Sequence, residues 1–274
     1  MVSFSKTLRS SKPMGHVDRT SLKKACLELD EARIRELIEE GVNLNGSGHL
    51  ASLMMVSLTI IRRRHEPGMD RIARRLLRLL LDSGADPNRT CNSPEGDGNT
   101  TIFQTIVCYN LPYPEAAVNL PRIILQHVAF IGATTNRQIF NEVNNAYIQA
   151  NSELLSFYTK CQTELTVMRN FKILEWSLES ITFLELLTKP VSEVSRFTFI
   201  EQFRNSFYAT YRVLFPVYAS QLKEKYDEAD AKRQRVIRFE LIMRGTLNFE
   251  DNSFYDVLFD SFSEEEIDNF IGEN

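Results

Sequence analysis

The 274-residue chain has no apolar run long enough to cross a bilayer as a helix, because its longest apolar clusters are broken by Arg or Glu. Its first residues, MVSFSKTLRSSKPMGH, lack the continuous apolar core of a secretory signal. A soluble chain is therefore expected. Cysteine is sparse. Cys26, Cys91, Cys108 and Cys161 form no CxxC pair, and their wide scatter does not suggest a disulfide framework, so a reducing, cytoplasmic compartment is the simpler expectation. Metal motifs are missing too: there is no HExxH, no EF-hand loop and no paired Cys/His cluster, so no metal or other cofactor is expected. The GSG at Gly46–Gly48 lacks the Lys-Ser/Thr that would complete a phosphate loop. A formal net charge of −4 argues against non-specific nucleic-acid binding.

What is present suits a soluble globular protein. Hydrophobic residues make up 43% and charged residues 25%, enough apolar material for a sizeable core. The length allows one large domain or two ordinary ones. Glycines concentrate before about residue 135 (Gly41, Gly46, Gly48, Gly84, Gly96, Gly98), whereas phenylalanines concentrate after about residue 150. That shift implies two regions of different architecture.

The first region contains an internal echo. LIEEGVNLN (Leu37 to Asn45) matches LLDSGADPN (Leu80 to Asn88): an apolar helix end, two polar residues, Gly, a small residue, Asn or Asp, and a final Asn. Gly41 and Gly84 suit the left-handed position that ends a helix, and Asn or Asp then favours a tight turn. A helical pattern precedes each glycine. Ile34, Leu37 and Ile38 share one face; Ile72, Leu76, Leu77, Leu79 and Leu80 form another, with Arg71, Arg74, Arg75 and Arg78 on the opposite stripe. Further on, Asp97-Gly98 signals a turn, and Thr100 is positioned to cap a helix carrying Ile102, Phe103, Ile106 and Val107.

These features resemble the ankyrin repeat, with GADPN as the most specific and Thr100 to Val107 as a degenerate TPLHxA, in which Thr101 replaces Pro and Phe103 replaces His. The resemblance implies an all-α fold: a short ankyrin-repeat solenoid of helix, turn, helix and projecting loop or hairpin, followed by a helical C-terminal region. On it, residues 1–19 are an N-terminal segment, 20–135 hold the repeats and 136–274 form the C-terminal domain. Repeat one spans about 20–45, with Leu22 and Ala25 in conserved-type positions. Repeat two spans about 48–88 and is longer than the roughly 33 residues of a standard repeat, so an insertion is expected near Arg62–Met69. Repeat three spans about 97–132, with Val128-Ala129-Phe130 in the place of GAD, and a weak fourth unit begins at Thr134.

Beyond residue 137 the pattern reads as helices. FKILEWSLESITFLELL is expected to be helical up to Pro190; Ser195 is expected to cap a helix carrying Phe199, Phe203 and Phe207; Pro216 should interrupt it. Asp227 or Asp230 should cap the next helix, reaching Arg244-Gly245, and Ser263 with Glu266 forms a capping box. No Pro/Gly/Ser-rich linker separates the regions, and the helices after residue 137 are suited to cover the open end of repeat three.

An ankyrin stack binds other proteins through its projecting side chains, which implies a protein-binding surface at Asn45, His49, Arg89, Glu95, Asp97, Asn99 and Gln104. The implied function is a protein–protein adaptor without catalytic residues, and the implied partner is another protein. Glu264-Glu265-Glu266 resembles the glutamate-rich C-terminal block of ankyrin effectors delivered into host cells by type IV secretion, which implies a virulence effector that binds a host protein or a second effector. The alternative is an enzyme whose C-terminal half is catalytic and whose repeats recruit substrate. A polar pocket with converging titratable groups would favour it, a solid Phe-filled bundle the adaptor. The basic stretch from Arg62 to Arg78 reads as a solvated face or, alternatively, as a dock for an acidic partner, a phosphoinositide head group or RNA.

Overall fold

Gly41 and Gly84 end their helices in the same way. The computed structural model describes residues 19–46, 51–92, 99–110, 118–176, 179–247 and 267. In it, α1 (Arg19–Glu28) precedes α2 (Glu31–Glu39), and α3 (Ser52–Arg63) precedes α4 (Met69–Asp82). The α2 and α4 helices run into glycines with φ of +82° and +90°. Each glycine N–H donates to the carbonyl three residues back (Ile38 or Leu81), and the next N–H, of Val42 or Ala85, donates to Leu37 or Leu80. This Schellman pair of bonds satisfies carbonyls that a helix end leaves open. An L side chain in the left-handed region costs about 1–2 kcal/mol, which accounts for glycine at both turns.

The loops that follow also match. Asn43 Oδ1 accepts the Asn45 N–H at 2.8 Å, and Asp86 Oδ1 accepts the Asn88 N–H at 2.8 Å. Each terminal asparagine then reaches the next loop. Asn45 Nδ2 donates to the Gly84 carbonyl (2.9 Å) while its Oδ1 accepts the Asp86 N–H (2.8 Å). One step on, Asn88 Nδ2 donates to the Ile139 carbonyl (2.8 Å) while its Oδ1 accepts the Asn141 N–H (2.8 Å). Three successive loops are thus joined by two amide rungs of identical pattern.

The chain divides into two compact units, Met1–Thr159 and Lys160–Asn274. The first holds α1 to α4, then a short antiparallel hairpin of β1 (Thr90–Asn92) and β2 (Asn99–Thr101), then α5 (Ile102–Asn110), α6 (Leu120–Thr135), α7 (Glu142–Ala150) and the start of α8 (Ser152–Asn170). The α3 helix packs against α1, α4 and α5, and buries Leu53, Met54, Val56 and Ile60. The core continues through Phe103, Ile106, Ile124 and Leu125 to Phe140, Ile148 and Leu154. Those last three residues carry the first unit beyond residue 135, where the composition shifts.

Several local expectations are corrected. No separate insertion projects at 62–69: residues 64–68 make a turn, and the extra length lies in α3 and α4, of 12 and 14 residues against 10 and 9 in α1 and α2. Val128-Ala129-Phe130 and Thr134 lie inside α6, because no glycine interrupts it there before Gly132 and the left-handed stop falls on Asn136 (φ 58°). Asn tolerates that conformation through its short polar side chain. The cap of α5 is Thr101 rather than Thr100. Thr101 Oγ1 accepts the Gln104 N–H at 3.1 Å and Gln104 Oε1 accepts the Thr101 N–H at 3.0 Å, a reciprocal capping box. Ile72, placed by period on the apolar side of α4, is 36% exposed.

The second unit holds the rest of α8, a hairpin of β3 (Lys172–Trp176) and β4 (Glu179–Thr182), then α9 (Phe183–Thr188), α10 (Val191–Thr198), α11 (Glu201–Leu214) and α12 (Ala219–Leu247). The segment expected to be one helix is therefore strand, turn, strand and a short helix. Ile173, Leu174 and Ile181 supply buried β-type residues, a bulge at 172–174 absorbs the adjacent apolar pair, and Thr182 with Glu185 forms a capping box that starts α9 afresh. Ser195 is buried within α10 instead of capping, and the chain turns between Thr198 and Glu201. That turn separates Phe199, 61% exposed, from the buried Phe203 and Phe207. Pro216 does interrupt, between α11 and α12. Asp227 and Asp230 lie inside α12, which starts upstream because the Glu164 carboxylate accepts the Val217 N–H at 3.0 and 3.3 Å. The Ser263–Glu266 box lies outside the described residues.

Among the described residues the architecture is all-α with two small hairpins. No described helix is long and apolar enough to cross a membrane.

Candidate functional site

The β1–β2 hairpin sits directly on the second amide rung. Thr90 faces Thr101, Cys91 faces Thr100 and Asn92 faces Asn99. Behind it, Thr101 Oγ1 donates to Asn144 Oδ1 (2.6 Å), and Asn144 Nδ2 donates to Asn88 Oδ1 (2.9 Å). Asn144 is fully buried, so every bond it makes is sheltered from water. A strand end, a loop and the start of α7 are thereby locked together, giving the hairpin a rigid base.

The structure distributes the predicted contact residues unevenly. Arg89 is half-buried at the entrance of the hairpin, where its carbonyl accepts the Ile102 N–H at 2.9 Å. Asn99 is the first residue of β2. Gln104 stands just beyond, but its side chain is held in the capping box with Thr101. Asn45 is remote in sequence, and its amide is held by the first rung. Both side chains thus have structural tasks. His49, Glu95 and Asp97 lie outside the described residues. The sequence reading missed Asn88 and Asn144. Asn88 was visible as the closing Asn of both halves of the echo; Asn144 has no sequence signal, since its role exists only once α7 meets the loop.

The arginine stripe of α4 is partly a clamp. Arg71 and Arg75 are exposed, Arg74 and Arg78 half-buried, and Leu76, Leu77 and Leu80 on the other side are fully buried. Arg75 Nε lies 3.0 Å from Glu31 of α2, and Arg74 bonds Asp70 (2.9 Å) and Gln126 of α6 (3.2 Å). The neighbouring His127 Nε2 meets Asp82 Oδ1 at 2.8 Å. Such partly exposed ion pairs orient helices more than they stabilise them, each contributing roughly 0–1 kcal/mol.

In the second unit the interior is aromatic. Phe207 lies 4.4 Å from Tyr226 and 4.6 Å from Tyr211 (ring centroids), and Phe183 lies 4.7 Å from Phe215. Glu164 is the buried carboxylate among the described residues of this unit. Burial raises its pKa and the backbone N–H groups of Val217 and Tyr218 oppose the rise. Its role is that of a helix cap. Among the described residues no cluster of three or more His, Cys, Asp or Glu is placed to hold a metal.

Three thiols are buried and Cys108 is exposed. Burial pushes Cys26 up to about 12, and burial followed by the nearby Glu164 pushes Cys161 up to about 12. Both are neutral thiols at physiological pH, the less nucleophilic form. With 5,5′-dithiobis(2-nitrobenzoate), the native protein is expected to react at Cys108 alone, and all four cysteines should react after unfolding. A raised pKa favours the protonated fold, so this contribution to stability is complete below pH 9 and is lost as pH climbs from about 9 toward 12. Rapid native reaction at Cys26 or Cys161 would contradict the burial.

No protein-family model, curated protein or solved structure significantly matches the chain.

Proposed function

We propose that this protein is an ankyrin-like adaptor that binds another protein through the surface around its β1–β2 hairpin. One observation carries the reading: the Asn45 and Asn88 amides make the same two-bond connection to successive loops, after the same glycine-terminated helix ends. Stacking of that kind holds helix pairs at one register and leaves the hairpin tips free to vary, which suits recognition. The aromatic interior of the second unit favours a binding role over the enzymatic alternative. The narrower reading, an effector delivered by type IV secretion, rests on Glu264-Glu265-Glu266 alone.

The test is a charge-reversal variant of the hairpin region, Arg89→Glu with Glu95→Lys and Asp97→Lys, compared with wild type in cross-linking capture and in affinity for the captured protein. The expected result is at least about tenfold weaker binding with an unchanged circular-dichroism spectrum, the loss of a charged interfacial contact or two. Unchanged affinity would remove the hairpin from the interface. Loss of the biological effect in a folded, still-binding Cys→Ala variant would replace the adaptor with a thiol enzyme.

A further inference from the structure

In the second unit, α12 carries a face that is half apolar and half basic. The helical period puts Lys232, Arg235, Val236, Phe239 and Met243 on it together. Val236 and Phe239 are buried, and Met243 packs against them. The fourth member of this cluster comes from far along the chain: Ile267, only 3% exposed, sits on the same side chains. The apolar part of the face therefore has an occupant, and that occupant is a residue of this chain beyond the end of the helix.

Charge points to the same pairing. Lys232 and Arg235 lead into the apolar stripe, and Glu240 on its flank is met by Arg233 at 3.9 Å. After Arg244 the sequence has no Lys or Arg, and Ile267 is bracketed by Glu264, Glu265, Glu266 and Asp268. Glu266 and Asp268 are bonded neighbours of Ile267, with Cα atoms about 3.8 Å from its own. Burying Ile267 thus brings negative charge within a Debye length of the α12 cations, about 10 Å at 0.1 M salt. The burial of one isoleucine is of the same order as the entropy lost in closing the chain between Leu247 and Ile267. Attraction between the flanking charges then decides how firmly the contact is held.

We infer that this face of α12 is a recognition site for an acidic segment with a central isoleucine, filled in the resting chain by Ile267 and the acids bonded around it. The contact is a latch. A partner segment of the same chemistry reaches α12 only by displacing Ile267, and the site is inhibited by its own chain until then. The latch lies in the second unit and does not depend on the ankyrin-like reading of the first.

The experiment uses the full chain and a fluorescein-labelled peptide of sequence FSEEEIDNF, residues 262–270, followed by fluorescence anisotropy. Ile267→Asp empties the face, so this variant should bind the peptide saturably and wild type should bind it at least about tenfold more weakly, the effect of a site open a tenth of the time or less. Adding Lys232→Glu and Arg235→Glu to Ile267→Asp should weaken binding again by at least about tenfold. Absence of saturable binding by Ile267→Asp overturns the proposal, as does equal affinity in wild type or indifference to the charge reversals. Met243→Asp probes the same contact with residues 264–268 unaltered. It should speed cleavage after Glu266 by a Glu-specific protease at least about tenfold, the release of a closed segment. Leu241→Asp is the control, because Leu241 is 65% exposed on the opposite side of α12, and its cleavage should match wild type. Equal acceleration in both variants, or in neither, overturns the latch. A wild-type dimer that Ile267→Asp converts to a monomer in light scattering also overturns it, by making the occupant a second copy of the chain.

Discussion

Asn88→Ala is expected to destabilise the first unit by about 3 kcal/mol, measured as a shift of its urea transition, with a smaller loss of about 1 kcal/mol for Asn45→Ala. Asn88 makes four bonds: to the Ile139 carbonyl, the Asn141 N–H, Asp86 and the buried Asn144. Each net hydrogen bond contributes about 1 kcal/mol, and the buried groups left behind cannot all recover water. Among the described residues the Asn45 side-chain amide makes its two rung bonds, and water can replace part of them at a more open loop. Asn88→Asp separates the two halves of the fork. It keeps the acceptor for Asn141 but turns an oxygen toward the Ile139 carbonyl and the Asp86 carboxylate, so a loss at least as large as that of Asn88→Ala is expected. A loss below about 0.5 kcal/mol for Asn88→Ala, typical of an ordinary surface substitution, would mean that the rungs do not hold the loops together.

Phe207→Ala should cost about 4 kcal/mol in the second unit, within the range for deleting a buried phenylalanine. The ring is fully buried between Tyr226 and Tyr211, nearly parallel to both at 12° and 4°, and Phe183 closes a further side at 6.1 Å. Its removal leaves a cavity and breaks aromatic pairs that contribute about 0.5–1.5 kcal/mol each beyond area burial. Phe199→Ala is the internal control. Phe199 is 61% exposed and its ring is met by Arg233 at 5.2 Å, so under about 1 kcal/mol should be lost. Equal effects at the two positions would restore the single four-residue stripe that the sequence spacing suggests.

The contrast between those phenylalanines shows what spacing leaves open. Phe199, Phe203 and Phe207 recur every four residues, but a helix face continues only if the helix does, and the chain turns at residues 199–200. Likewise, 171–188 contains residues that satisfy a helical period, yet Lys172 pairs with Thr182 and Trp176 with Glu179 across a hairpin. Strand pairing is a non-local interaction, so a short apolar segment does not declare it.

Read alone, the sequence determined the elements whose physics is local. The left-handed stops at Gly41 and Gly84 follow from the one residue without a Cβ, the amphipathic α4 follows from its 3.6-residue period, and the break at Pro216 follows from a missing N–H. It also displayed the two closing asparagines, without saying what they bond. Tertiary structure alone decided that Asn45 and Asn88 reach the next loop's backbone, that Asn144 is buried beneath the hairpin, and that Asn110, Asn119 and Asn151 meet at one cleft. An amide side chain is equally at home in water or in a polar network. Only the packing of distant segments fixes which groups it can satisfy.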